Sequence, residues 1–366
     1  MKQEKSKRSC PIICRVLYAA ALICVGLHVS FYLRTDFADW FNENVSAIFR
    51  TALSKLTSFL PFSLGEAVII CLPCAFIVLI IKSVVILRGD DEKKSNRLIC
   101  SLLAFLCFLY SLFVMNFASA YRGVGIASKL SLERKDVSAE QLYSTGVYFN
   151  EKIKEELDDI DFDFASSKMP YSLYEMSDKL NEAYAKVTDK YPFVQRLDCP
   201  VKFVALSRPM AYTHISGLYT YYTGEANINI DFPEYTIPYT AAHEMSHQRG
   251  TAAEDEANFM AFLVCENSSD PYIRYSGYIS MFEYVSNALY SADRELYLKL
   301  WEDVDIRVKY EEKSYSEYFS KISDSLAAKA TDAVNDVYLK SQGQSEGTKT
   351  YGLVVDLAVS YVENRT

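Results

Sequence analysis

Three runs of this sequence are apolar enough, and as helices long enough, to cross a hydrocarbon layer of about 30 Å. They are residues 16–33 (VLYAAALICVGLHVSFYL), 64–87 (LGEAVIICLPCAFIVLIIKSVVIL) and 98–117 (LICSLLAFLCFLYSLFVMNF). The pattern predicts three transmembrane helices, so the rest of the fold has to be arranged around a membrane anchor. The first run follows a basic leader (Lys2, Lys5, Lys7, Arg8) of the kind that opens a signal peptide. No small-x-small cleavage site follows, which predicts a retained span.

The leader and the loop 88–97 each carry four Lys or Arg, against three in the longer segment 34–63. By the positive-inside rule, the N-terminus and the loop 88–97 are cytoplasmic in a multi-pass plasma-membrane protein, and the residues after the third span are extracytoplasmic. Residues 1–119 hold 13 basic and 8 acidic residues, whereas 120–366 hold 25 and 39. The first part is therefore expected to be the membrane anchor, with the lipid bilayer as its partner. The acidic surplus of the second part excludes nucleic acid as its natural partner. Seven of the nine cysteines lie in or beside the spans, where they serve as small apolar residues. Cys199 and Cys265 are left to pair or stay free outside. Of the ionisable residues within the spans, Lys82 can snorkel from the cytoplasmic end, and Glu66 and His28 lie toward the outer face.

Between the first two spans, residues 38–60 place Phe41, Val45, Ile48, Phe49, Ala52, Leu53, Leu56 and Leu60 at helical spacing. This predicts an amphipathic helix, either lying in the outer interface with Trp40 as an anchor or packed on the external domain. Residues 120–366 then read as an α+β domain. Ser138 and Gln141 form a capping-box start, a second helical pattern follows Pro170, and "PVKFVALS" and "GLYTYYTGEANINID" read as a few antiparallel strands. After Pro238 the pattern is helical almost to the end, apart from the loop 341–350.

The helix after Pro238 carries "TAAHEMSHQRGTAAEDEANFMAF". His243 and His247 are one turn apart on one helical face, so both imidazoles can reach one metal ion. Glu244, beside the first, can take a proton from water activated by that ion. This is the HExxH arrangement of zinc peptidases. A catalytic zinc needs a third ligand. The position that carries a third histidine in some zinc peptidases is Ala253 here, so the carboxylates Glu254 and Glu256 are the candidates. Asn258, four residues after Glu254, could orient a ligand histidine, which favours Glu254. A capping box read from Thr251 to Glu254 would instead free Glu256 for the metal. Arg249 is expected to pair with Asp255 or Glu256, or to face a helix C-terminus. The strand "EANINI" is the candidate edge for binding an extended substrate. His214, Arg274, Tyr275 and Tyr278 are candidates for stabilising an oxyanion.

"HEMSHQRGTAAEDEANFMAF", with "LPFSLGE", "SGLYTYYTGEANIN" and "YGLVVDLAVSYV", resembles the bacterial domain of unknown function 3810 family over most of the chain. Such proteins look like membrane-anchored zincins, which implies a peptidase-like external domain. The stretch from Glu254 to Asn258 is also similar to the glutamate helix of gluzincins such as thermolysin-like and HtpX-like peptidases. That likeness implies His243, His247 and Glu254 as zinc ligands and Glu244 as base, although the glutamate here follows the second histidine by fewer residues than in most gluzincins. The expectation is a zinc metallopeptidase acting on a peptide or protein substrate outside the cell, or, with the same site, on another amide. The alternative is a non-enzymatic sensor or interaction module with a structural or vestigial metal.

Overall fold

The computed structural model describes residues 10–89, 92–164, 166–323, 325–342, 344 and 353–365. The basic leader, part of the loop 88–97 and most of the loop 341–350 lie outside the described residues. Among the described residues the elements are mostly helical, with two small sheets. Three helices, Ile12–Leu33, Leu64–Arg88 and Lys93–Asn116, are long and apolar enough to cross a membrane. The helix containing the third run begins earlier than the apolar run does, inside the charged loop.

The first and third of these helices pack together, with Tyr18 donating to the Cys100 carbonyl at 2.7 Å and His28 bonded to Tyr110 at 3.0 Å. The helix Leu64–Arg88 leaves Leu72, Phe76, Ile80 and Val85 exposed. At its start, Glu66 accepts the backbone amides of Ala205 and Leu206 at 2.9 and 2.8 Å, so this acidic residue ties the helix to the rest of the chain.

Residues 35–58 are helical throughout, as Thr35–Phe41, a π-helical turn Asn42–Ser46, and Ala47–Ser58. The amphipathic pattern is present, but its polar face turns inward. Ser46, Arg50, Ser54 and Thr57 are buried, while Ile48, Leu56 and Phe59 are 67%, 65% and 73% exposed. Arg50 donates to Gln195 Oε1 (2.9 Å), Asn42 Oδ1 (2.7 Å), the Asn116 carbonyl (2.8 Å) and the Asn42 carbonyl (2.9 Å). Burial lowers its pKa to about 10. The guanidinium is thus held by neutral acceptors that have no water to replace it. Arg50→Met should destabilise the protein by on the order of 3 kcal/mol, because several buried acceptors lose their donor together. Thermal unfolding in detergent measures this, and a change under about 0.5 kcal/mol, the usual size for an uninvolved surface site, would contradict it.

The body of the molecule is built on the helices Ala139–Glu156, Leu173–Lys190, Ile237–Gln248, Glu254–Glu266 and Pro271–Ala292. The capping box at Ser138 and Gln141 forms as its sequence predicts. Ile237–Gln248 and Glu254–Glu266 are buried almost all round, in a core with Phe149, Leu180, Tyr235, Phe262 and Phe282. Cys199 and Cys265 are both buried free thiols.

The larger sheet has three strands. Gly217–Thr220 runs antiparallel to Glu225–Ile228, as expected, but Lys202–Phe203 pairs with Glu225–Ile228 in parallel. The expectation of a wholly antiparallel sheet is corrected to a mixed one. It follows that the "EANINI" strand is central, with both of its sides already paired. The edges of this sheet are Lys202–Phe203 and Gly217–Thr220.

Candidate metal centre

The metal-ligand spacing on the helix Ile237–Gln248 is produced by ordinary helix geometry, and small residues behind it set its depth. Tyr184 donates to the Ala242 carbonyl at 2.6 Å and bonds Ser246 Oγ at 2.7 Å, so the back of the helix is clamped where its side chains are shortest. Arg249 lies over the Tyr184 ring at 3.8 Å and donates to the Met245 carbonyl at 3.2 Å, and to Asn181 and the Leu197 carbonyl. It faces the C-terminus of its own helix. The cation beside Asp255 and Glu256 is Arg134 rather than Arg249, 2.5 Å from Asp255 and 3.9 Å from Glu256.

Gly250 (φ +91°) turns the chain between the two helices. A Cβ there would stand 2.5 Å from Arg50 Nη2, so the turn requires both glycine's backbone freedom and its missing side chain. Beyond it, the helix Glu254–Glu266 starts from Ala253, with no side-chain cap. The alternative of a capping box from Thr251 to Glu254 does not form, and Glu254 turns back toward the histidines.

The result is a triangle of potential ligand atoms. His243 Nε2 and His247 Nε2 are 3.1 Å apart, and each is 3.3 Å from Glu254 Oε2. Ligand atoms sharing one tetrahedral zinc at its usual bond lengths stand about 3.3 Å apart, so the arrangement fits such an ion without rearrangement. His247 Nδ1 lies 2.7 Å from the Thr251 carbonyl. A carbonyl only accepts, so Nδ1 carries the hydrogen and Nε2 offers its lone pair to the triangle. The orienting contact expected of Asn258 is thus made to His247 by the Thr251 backbone. Asn258 lies on the wall of the same cavity. His243 Nδ1 and Glu254 Oε2 are buried without a hydrogen-bond partner among the described residues. Those three residues are the His/Cys/Asp/Glu group that the described residues bring within metal-binding distance. Glu256 is elsewhere, accepting the Ile126 amide at 2.8 Å.

Burial works against charge on both Glu254 and His247. Their mutual attraction outweighs it, holding the Glu254 carboxyl well below its usual range and raising His247 to about 9. Without a metal, the cluster thus keeps a proton that a metal would replace. Glu244 is shifted the other way: burial raises its pKa, opposed by both histidines and by the Tyr219 amide. Glu244 abuts the edge strand closely enough that a Cβ on Gly217 would stand 2.5 Å from its Cγ.

The two histidines, Glu254 and Glu244 line one cavity of about 790 Å³. Its walls include Phe117, the residues 213–219, Glu283, Tyr284 and the face of the helix Leu326–Ser341 that bears Tyr338. Of the residues expected to stabilise an oxyanion, His214 lines the cavity. Arg274 is instead engaged by Glu156 at 2.6 Å, and Tyr275 and Tyr278 are buried in the core. Tyr284 and Tyr338, which also line the cavity, are not singled out by the sequence. Nothing in the local pattern separates them from the other tyrosines.

Fold and site together define a membrane-associated, mostly helical protein with a buried His-His-Glu cluster opening on a cavity. The chain belongs to the family described as "Protein of unknown function (DUF3810)", whose model matches residues 41–359. No curated protein and no solved structure matches it.

Proposed function

We propose that this chain is a membrane-anchored, zinc-dependent metallopeptidase with a gluzincin-like site facing outside the cell. The observation that supports this most directly is the convergence of three ligand atoms at tetrahedral spacing on the wall of a cavity that also holds Glu244. His243, His247 and Glu254 would hold the ion, which when bound supplies a Lewis acid and lowers the pKa of a neighbouring water. Glu244 removes a proton from the attacking water and returns it to the departing amine. The edge strand Gly217–Thr220 binds the substrate as an added strand, its Tyr219 amide being given up by Glu244 as the substrate enters, and brings the substrate carbonyl under attack. No fourth protein ligand closes the triangle among the described residues, which favours chemistry over a purely structural ion.

The direct test is hydrolysis of a mixed peptide library by the full-length chain in detergent, with a chelator and then with added zinc. Cleavage that stops with the chelator and returns with zinc supports the reading, and no cleavage by the zinc-loaded protein refutes it. Gly217→Ala supplies a sharper check on the role of Glu244. The new methyl group would displace the carboxylate and leave the ligands alone, so zinc content should stay at the wild-type level while turnover falls by roughly 100-fold, at the low end of what a positioned base contributes.

A further inference from the structure

We infer that the peptide bonds cut at this site lie within a few residues of a membrane anchor, so that the substrate is a tethered polypeptide cleaved where it leaves the bilayer. The inference rests on the peptidase reading above and adds the substrate class. It comes from where the two ends of the open edge strand are fixed.

At one end, Gly217 touches Glu244, next to the ligands. At the other, Thr220 meets the first turn of the apolar helix Leu64–Arg88, where a Cβ on Gly65 would stand 2.8 Å from Thr220 Oγ1. The amides of Leu64 and Gly65 donate to Glu225, the residue paired with Thr220, at 3.1 and 2.7 Å. The strand therefore ends on the N-terminus of a membrane-crossing helix.

The middle of the strand is tied to a second such helix. Phe117 directly follows the helix ending at Asn116, and its ring lies 5.3 Å from that of Tyr219 and 6.3 Å from that of His247. The strand from Gly217 to Thr220 covers only about 10 Å at the usual rise per residue. A substrate laid along it reaches the helix ends three or four residues beyond the reacting bond. The segment leading into that helix is apolar on its surface: Phe59 and Phe62, which precede Leu64–Arg88 in the chain, are 73% and 50% exposed. A chain arriving there must turn sharply away or continue into lipid, and an anchored chain already does the latter.

The test uses the full-length protein in proteoliposomes and a quenched fluorescent peptide mixture with randomised positions. The mixture is prepared free, or joined to a diacyl lipid at either end through a spacer of about four or about twenty Gly/Ser residues. The short-spacer form, at one of its two ends, should be cleaved at least about tenfold faster than both the free and the long-spacer forms. Mass spectrometry should place the cut within about five residues of the anchor. Equal rates for free, short and long forms would overturn this inference while leaving the peptidase intact. No cleavage of any form by zinc-loaded protein would remove both, and Glu244→Gln serves as the blank.

Discussion

Full-length protein purified in detergent is expected to carry zinc, to lose it in Glu254→Ala and His247→Ala, and to keep it in Glu256→Ala. The contrast between the two glutamates is the informative part, because they lie two residues apart at the start of one helix. Glu254 Oε2 faces both imidazoles at 3.3 Å, whereas Glu256 accepts the Ile126 amide and lies near Arg134. Loss of a group that merely orients a ligand weakens metal binding by about 10–100-fold, so loss of a ligand should exceed the upper figure. Glu256→Ala should instead cost stability, since a buried amide loses its acceptor. Elemental analysis with a competition titration reads both effects. Retention of full zinc affinity by Glu254→Ala would remove Glu254 from the site.

The second large effect concerns Glu244. Glu244→Gln keeps the shape and the hydrogen bond from the Tyr219 amide but cannot take up a proton. Zinc content and KM should stay near wild type while kcat falls by about 10²–10⁴-fold, the usual contribution of a positioned general base. A variant that turns over within threefold of wild type would show that another group does the proton transfer.

Much of this was legible in the sequence, and what was not has physical reasons. The apolar runs and the histidine spacing depend on local periodicity, which the structure reproduces in the three long helices and in the facing imidazoles. The choice between Glu254 and Glu256 was open, because Thr251 to Glu254 also spells a helix start. The pull of two histidines on Glu254 is a tertiary effect that overrides a cap contributing about 1 kcal/mol. The edge strand was misplaced for a different reason. Which strand is central depends on Lys202–Phe203, a two-residue element distant in sequence, and its pairing leaves almost no pattern of its own. The apolar spacing over residues 38–60 predicts an amphipathic helix, but periodicity does not say which face of Ala47–Ser58 meets protein when lipid is an alternative partner.

That last feature ties the site to residues that precede the third apolar helix. In a water-soluble protein a helix buries its apolar stripe, whereas Ala47–Ser58 gives its hydrophilic stripe to the fold and presents the greasy one outward. Proteolytic release of residues 120–366 would leave Arg50 behind with the stump, and with it the guanidinium beneath Gly250 that supports the turn between the two helices bearing the His-His-Glu cluster. Under the proposed function, release of that part would be a route to disarming it, and activity would stay confined to the membrane.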